Sequence, residues 1–207
     1  MKRLKYLDIK REKKPLIEEE ISDSDAIKLV KEGKTDIFEK IIERYQGKLF
    51  FYIFRLTGDR EEARDLLQDV FIKAYRNIAS FDIERKFSSW IYRIAHNEAI
   101  NYLKRKSLKR FISWEDVSSA KDTMEMNSGE ESVSKLWERK DEIKEVNVAV
   151  NKLPIKYKQV LLLKYFSDKS YEEIGEILGK PVNTVGTLIS RAKKKLHKEI
   201  NNLNNKK

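Results

Sequence analysis

Cysteine is absent from this 207-residue chain, and glycine, proline and histidine are scarce, with seven, three and two residues. A chain without cysteine forms no disulfide, no thiolate zinc site and no thiol redox switch. The two histidines, His96 and His197, are far apart in the sequence, so we expect no metal site and no cofactor. The few glycines and prolines leave long segments of helical periodicity uninterrupted, which predicts an all-α fold.

Long apolar runs are also missing from the sequence. No segment approaches the roughly 20 apolar residues of a membrane span, and the basic N-terminus lacks the apolar core of a signal peptide. We therefore expect a cytoplasmic protein without membrane insertion. The 44 lysines and arginines exceed the 34 aspartates and glutamates and give a net charge of +10, which favours a polyanionic partner.

Composition and periodicity together predict two small helical domains joined by a flexible acidic linker. Residues 1–21 are highly charged and form an N-terminal extension, and residues 22–110 form the first domain. Residues 111–142 have weak periodicity, many serines and an excess of acids, which is typical of a linker. Helical periodicity returns in the second domain, residues 143–203.

A helix-turn-helix pattern lies in the second domain, over residues 170–196. Ser170 and Glu173 match a capping box at the start of a helix that Gly179 ends. A basic helix after a short turn is typical of DNA-groove recognition, although an ordinary helical hairpin with a solvated face gives the same pattern. Asn183 or Thr184 can cap the second helix. The outer face of this helix carries both of them and four further polar residues: Thr187, Ser190, Arg191 and Lys194.

A second nucleic-acid signal lies in the first domain. Between Arg85 and Arg110 there are eight lysines and arginines but one acid, Glu98. Aromatic, amide and basic groups on one helix face suit single-stranded nucleic acid, because rings stack on bases, amides bond base edges and cations follow phosphates. The residues concerned are Phe81 in the preceding loop and, at helical spacing, Trp90, Arg93, Asn97, Asn101 and Lys104. In the alternative interpretation, Trp90 is a core residue and the basic run is solvated.

An acidic polar stripe with an apolar residue among its members marks the helix expected over residues 60–77. The stripe contains Asp65, Gln68, Asp69 and Ile72. Such a pattern fits a protein contact. Isolated exposed apolar residues are common on protein surfaces, however, so the stripe alone is weak evidence.

Three stretches carry a family resemblance: ARDLLQDVFIKAYRNIASF (63–81), FSSWIYRIAHNEAINYLKR (87–105) and LPIKYKQVLLLKYFSDKSYEEIGEILGKPVNTVGTLISRAKKKL (153–196). In this order, with the acidic linker before the third, the chain resembles the extracytoplasmic-function group of bacterial RNA polymerase sigma factors. The resemblance covers about residues 22–110 and 143–200. It implies a transcription initiation factor whose two helical domains, region 2 and region 4, bridge core RNA polymerase and promoter DNA.

The resemblance also implies roles for residues at matching positions. The acidic stripe would bind the clamp helices of the largest polymerase subunit, and hydrophobic surface in region 4 would receive the flap tip of the other large subunit. Phe81 and Asn97 match a pocket for a flipped base of the −10 element, with Asn101 beside it. Thr187, Ser190 and Arg191 match positions that face the −35 element. An anti-sigma factor is expected as a further partner.

Gly186 and Leu188 depart from the family pattern, because relatives often carry arginine at these two positions. The −35 sequence that this chain recognises therefore does not follow from the sequence that a relative recognises.

Three other functions would explain parts of the chain. A dimeric helix-turn-helix regulator of duplex DNA would need a dimerisation surface, and the sequence indicates none. A nuclease would need clustered metal-binding acids, and the sequence shows no such cluster. A helical adaptor without a DNA role conflicts with the basic stripes. No catalytic group is evident, so we expect neither an enzyme nor a small-molecule substrate.

Overall fold

The computed structural model describes residues 21–113 and 146–205, and every regular element in these two segments is helical. The first helical group contains α1 (Asp23–Lys31), α2 (Ile37–Thr57), α3 (Arg60–Asn77), a short 3-10 helix (Ile78–Ser80) and α4 (Phe87–Ser113). The second helical group contains helical residues 146–152 (α5), α6 (Ile155–Leu161), a π-helical turn (Leu162–Phe166), α7 (Tyr171–Leu178) and α8 (Val182–Asn204). The all-α prediction is confirmed. The predicted N-terminal extension, apart from Ile21, and most of the predicted linker lie outside the described residues.

Local capping signals set several helix ends. The Ser22 hydroxyl accepts a hydrogen bond from the amide of Asp25 at the start of α1. Asp59 accepts one from the amide of Glu62 at the start of α3. Gly58, between α2 and α3, has φ +76°, a left-handed conformation that glycine adopts without strain. The sequence predicts these ends, with Ser22 or Asp23 as the cap of α1 and Gly58-Asp59 as the junction of α2 and α3, because each end depends on contacts between residues close in sequence.

Two predicted N-caps are wrong. The sequence predicts Ser88 or Ser89 as the cap of a helix that ends near Lys106, but both serines lie inside the first turn of α4, which begins at Phe87 and continues to Ser113. Phe87 is only 3% exposed, so its burial fixes the start of the helix one residue earlier. Asn183 and Thr184 similarly lie in the first turn of α8, because Pro181 precedes it and proline has a fixed φ suited to a helix start.

Helix α2 is the centre of the first helical group, as its nearly continuous apolar surface predicts. It packs against α1, α3 and α4, and Leu49, Tyr52 and Ile53 are fully buried in these contacts. Truncating a buried leucine or isoleucine to alanine costs about 2–5 kcal/mol. The core therefore fixes the direction of α3 and α4, whose outer faces carry the predicted binding residues.

The second helical group has the predicted helix-turn-helix. Ser170 accepts from the amide of Glu173 at 3.2 Å, and the Glu173 carboxylate accepts from the amide of Ser170 at 2.9 Å, so the capping box is complete. Gly179 ends α7 with φ +62°. Helix α8 packs its apolar face, which includes Val185 and Ile189, against α6 and α7 and leaves its polar face outside.

The two helical groups contact each other. Helix α7 packs on α4, and the π-helical turn packs on α2, where the rings of Phe51 and Phe166 lie 5.6 Å apart. The Arg55 guanidinium lies 5.7 Å from both ring centroids and donates to the Asn147 side-chain oxygen at 2.7 Å. Burial lowers the pKa of Arg55, and burial together with the Arg55 charge lowers that of Lys158 to about 8. Buried cations thus form part of this contact.

His96 makes the folded chain sensitive to acid. Its side chain is 9% exposed, Nδ1 lies 3.0 Å from the Tyr52 hydroxyl, and burial, with a contribution from Lys180, lowers its pKa from 6.5 to about 4. The unfolded chain therefore binds a proton more tightly than the folded chain. We expect stability to fall by about 3 kcal/mol as the pH drops from about 6.5 through 4.

Urea unfolding at several pH values tests this expectation against two variants. His96→Gln removes the titrating group and should flatten the pH dependence between about pH 6.5 and 4 relative to the wild type. His197→Gln, at an exposed position, should retain it. Parallel pH profiles for the wild type and His96→Gln would contradict the assignment.

Candidate nucleic-acid and polymerase interfaces

The polar stripe of α4 forms one exposed face, as the spacing predicts. Arg93, Asn97, Asn101 and Lys104 are all exposed and recur every three or four residues, so they follow one another along the helix. Trp90, one turn before Arg93, is half-buried. Two amides and two cations are therefore available on this face to an extended nucleic-acid strand.

Phe81 does not offer a free ring face. It is only 5% exposed, and its ring meets those of Phe87 and Trp90 at centroid distances of 5.5 and 4.9 Å. Lys31 Nζ also donates to the Phe81 carbonyl oxygen at 2.6 Å. The expectation of an accessible stacking ring in this loop is therefore wrong for this conformation, and a base could stack on Phe81 only if the loop moved.

Trp90 combines the two interpretations that the sequence left open. Its ring lies 4.9 Å from that of Phe81 and 5.4 Å from that of Phe87, so one side belongs to an aromatic cluster. The rest of its side chain remains accessible at the start of the exposed stripe. The accessible aromatic surface on this part of α4 is thus the Trp90 ring rather than the Phe81 ring.

A basic cavity beside the same loop was not predicted from the sequence. It is open to solvent, has a volume of about 550 Å³ and lies between α1, α2 and the loop before α4. Its cationic lining residues are Arg44, Lys48, Arg85 and Lys86. Arg44 and the Tyr45 hydroxyl share the carboxylate of Asp23, and Lys86 Nζ lies 3.9 Å from a carboxylate oxygen of Glu173. Lys48 and Arg85 therefore supply most of the net positive charge of the cavity. Arg44 and Lys48 lie on α2, whose sequence signal is its apolar periodicity, and only the fold brings them to this loop.

The acidic stripe of α3 is exposed as predicted. Asp65, Gln68 and Asp69 lie on the outer face, and the Ile72 side chain is 40% exposed beside them. Tyr75, one turn further along, is 42% exposed and widens the apolar part of this surface. The face therefore joins acids and an amide to an apolar strip, a combination that suits a protein surface carrying cations and apolar groups.

The outer face of α8 presents all the residues predicted for duplex DNA. Each of the six is exposed: Asn183, Thr184, Thr187, Ser190, Arg191 and Lys194. The Thr187 hydroxyl donates to the Asn183 carbonyl at 3.0 Å, so its oxygen remains as an acceptor and its methyl group as an apolar contact. This face can bond base edges and phosphates together.

Large apolar side chains are also exposed in the second helical group. Ile155, Tyr165 and Phe166 are 39%, 53% and 45% exposed, and Val182 is 40% exposed. They provide candidate positions for the predicted hydrophobic surface of region 4. Among the described residues, no helix is long and apolar enough to cross a membrane, and no cluster of three or more histidines and acids could hold a metal ion.

Two glycines of the helix-turn-helix should respond in opposite ways to alanine. A Cβ atom at Gly175 would lie 2.7 Å from the Lys180 carbonyl oxygen, which belongs to the backbone of the turn. Gly175→Ala should therefore destabilise the chain by about 1–3 kcal/mol. A Cβ at Gly186 would meet only Tyr171, at 3.6 Å, so Gly186→Ala should stabilise it by up to about 1 kcal/mol. Chemical unfolding measures the change in the free energy of unfolding for each substitution. Equal changes for Gly175→Ala and Gly186→Ala would contradict this geometry.

Comparison with known proteins gives two family matches. The family described as Sigma-70 region 2 matches residues 41–109, and the family described as Sigma-70, region 4 matches residues 143–196. ECF RNA polymerase sigma factor SigW of Bacillus subtilis is 39% identical over 183 residues, covering 86% of this chain and 96% of SigW. RNA polymerase sigma-H factor of Pseudomonas aeruginosa is 32% identical over 184 residues, covering 86% and 93%.

Solved structures agree in fold. CnrH, solved in complex with the cytosolic domain of CnrY, has a TM-score of 0.63 at 20% identity and covers 86% of this chain and 97% of its own. The sigma factor RpoE of Bartonella quintana, solved with the anti-sigma factor NepR, has a TM-score of 0.62 at 20% identity, with coverage of 79% and 96%. Because regions 2 and 4 match in order and SigW is similar over almost its entire length, the chain belongs to the extracytoplasmic-function group of the sigma-70 family.

Proposed function

We propose that this chain divides promoter recognition between two exposed helix faces, with α8 on −35 duplex DNA and α4 on the melted −10 element. As a member of the sigma-70 family, it is a transcription initiation factor that binds core RNA polymerase and directs it to promoters. The observation that carries the residue-level proposal is that each matched region presents its own exposed polar and basic helix face.

At the −35 element, α8 lies in the major groove with its first turns towards the bases. Arg191 can fork onto a guanine or hold a phosphate, and Lys194 adds phosphate contact. The short side chains of Thr187 and Ser190 allow close approach of the helix. Gly186 and Leu188 add no charge, so affinity at this element depends on a small number of cations.

At the −10 element, α4 holds the strand that becomes unpaired. The Asn97 side chain has a donor and an acceptor and can pair with the edge of a base that has lost its partner. Extruding a base costs a few kcal/mol, which such contacts offset in part. The cations that line the cavity beside the loop, Lys48, Arg85 and Lys86, follow the phosphates of the same strand.

Polymerase contacts use the remaining exposed surfaces. The acidic stripe of α3 binds the clamp helices of the largest subunit, and the apolar residues around Tyr165 and Phe166 receive the flap tip. An anti-sigma factor is a further partner, supported by the complexes in which CnrH and Bartonella RpoE were solved. The chain acts in the cytoplasm, where sigma factors meet RNA polymerase, and contributes binding energy rather than a catalytic group.

Arg191→Ala tests the −35 part of the proposal. If Arg191 contacts a base, the substitution should weaken holoenzyme binding by about 1–3 kcal/mol and relax the preference at one base pair. If it holds only a phosphate, binding should fall equally on all sequences, and the salt dependence should become shallower. Affinities at several salt concentrations, on duplexes selected by the wild-type holoenzyme and their single-base variants, separate the two results.

Lys193→Ala is the matched control, because it removes the same charge from α8 at a position directed towards Tyr165. Its ammonium group lies 5.4 Å from the Tyr165 ring. We expect Lys193→Ala to leave base preference unchanged. Arg191→Ala binding with wild-type affinity at every salt concentration would remove Arg191 from the interface.

A further inference from the structure

The last residue of α1 holds the loop before α4 by a hydrogen bond. Lys31 Nζ donates to the Phe81 carbonyl oxygen at 2.6 Å, between residues 50 positions apart in the sequence. Helix α1 also packs against the 3-10 helix that directly precedes Phe81. A hydrogen bond from an ammonium group is roughly twice as strong as one between neutral groups. The Lys31 side chain therefore fixes the backbone of Phe81 where the loop begins.

The other end of α1 is tied to α2. The Asp23 carboxylate accepts hydrogen bonds from Arg44 and from the Tyr45 hydroxyl. Arg44 Nη2 also donates to the Ile21 carbonyl oxygen at 2.6 Å, just before α1 begins. Because α1 packs along α2 as well, it is a fixed support from which Lys31 reaches the loop.

An aromatic cluster connects Phe81 to the exposed face of α4. The rings of Phe81 and Trp90 lie 4.9 Å apart, and Phe87 contacts both, at 5.5 Å and 5.4 Å. Tyr45 of α2 packs on Phe87 at 5.7 Å. Aromatic pairs with such separations attract each other beyond the area that they bury. The orientation of the Trp90 ring therefore depends on where the loop holds Phe81.

We propose that Lys31 is a positioning residue for promoter opening, because its bond to Phe81 holds the Trp90 ring ready at the start of the α4 face. The inference rests on the proposed function of this face, with Trp90 as its accessible stacking ring. A ring that is fixed before the strand arrives loses less conformational freedom when a base stacks on it. Lys31 acts through Phe81 and not by contact with DNA.

Two substitutions of Lys31 and one of Lys28 test this role. Lys31→Met removes the donor but keeps a side chain of similar length, and Lys31→Arg keeps an N–H donor. Lys28→Met is the matched control, because both lysines lie in the last turn of α1 and the Lys28 side chain is 52% exposed. Lys31 is exposed as well, so none of the substitutions opens a cavity in the core.

Fluorescence of Trp90 reports the position of the loop in the free chain. The chain has three tryptophans, and replacing Trp114 and Trp137 with phenylalanine leaves Trp90 as the only one. Without the Lys31 bond the packed side of the Trp90 ring becomes accessible to solvent. We expect Lys31→Met to increase the quenching of Trp90 by acrylamide and to shift its emission to longer wavelength. Lys31→Arg and Lys28→Met should give the values of the unsubstituted background.

Promoter opening by the holoenzyme, in the chain with its natural tryptophans, measures the consequence. At saturating core polymerase, Lys31→Met should open the promoter about five-fold less than Lys28→Met does, which corresponds to about 1 kcal/mol. All three variants should bind core polymerase as the wild type does. Lys31→Arg should restore opening to the level of Lys28→Met.

Unchanged quenching of Trp90 in Lys31→Met would overturn the inference, even if opening fell, because Lys31 would then act on DNA directly. Opening by Lys31→Met that equals or exceeds that of Lys28→Met would also overturn it, because the held ring would not assist the strand. The same conclusion would follow if Lys31→Arg restored neither readout. Asn97→Ala separates the two proposals: if it leaves opening intact while Lys31→Met changes both readouts as expected, the role of Asn97 fails and the positioning by Lys31 stands.

Discussion

Asp69→Arg is expected to abolish stable association with core RNA polymerase while leaving the chain folded. Asp69 is exposed in the middle of the α3 stripe, so the substitution disturbs no buried contact. It places a cation against a partner surface expected to be basic. Like charges brought together at an interface cost several kcal/mol, so affinity should fall about 100-fold or more.

Glu32→Arg is the control for this experiment, because it makes the same charge change in the first helical group at the exposed C-terminal end of α1. Titration of labelled core polymerase with each variant gives the affinities, and circular dichroism reports the fold. Glu32→Arg should bind core polymerase as the wild type does. Wild-type affinity for Asp69→Arg would show that the α3 stripe is not the polymerase contact.

Asn97→Ala is expected to spare polymerase binding and closed-complex formation but to reduce promoter opening about 10-fold, within the 1–3 kcal/mol range of a good amide–base pair. Asn97 is exposed, so the substitution tests binding rather than folding. Phe81→Ala is less informative, because Phe81 is buried and truncating such a ring costs about 3–5 kcal/mol of stability.

Permanganate reactivity of thymines in the −10 region measures the opening. A template already mismatched at the −10 element should restore much of the activity of Asn97→Ala, because the cost of unpairing is then absent. Asn201→Ala removes an exposed amide at the end of α8 and serves as the control. If Asn97→Ala opens an intact promoter as well as this control does, the base-holding residue lies elsewhere.

Local signals predicted much of the fold. Helix α3 spans Arg60–Asn77, as the Asp59 cap and the periodicity predict, and the capping box and Gly179 define α7. The exposed faces of α3, α4 and α8 also follow from periodicity, because burial of one helix face determines which residues remain outside. Each of these features depends on residues within a few turns of one another.

The features that sequence reasoning missed depend on contacts distant in sequence. Phe81 is buried because its ring packs against the rings of Phe87 and Trp90, and Lys31 Nζ donates a hydrogen bond to its carbonyl oxygen. The burial of Arg55 depends on residues of the second helical group, and nothing near it in the sequence marks that contact. The loop, the basic cavity and the contact between the groups were unpredictable for the same reason.

The central claim is that this chain makes core RNA polymerase start transcription at its own promoters. The most direct measurement is transcription from fragments of its source genome by core polymerase mixed with the purified chain, with start sites mapped on the RNA. We predict a stable complex and initiation at discrete sites that share −35 and −10 sequences and that core polymerase alone does not use. A chain that binds duplex DNA but neither joins core polymerase nor changes its start sites would contradict the account.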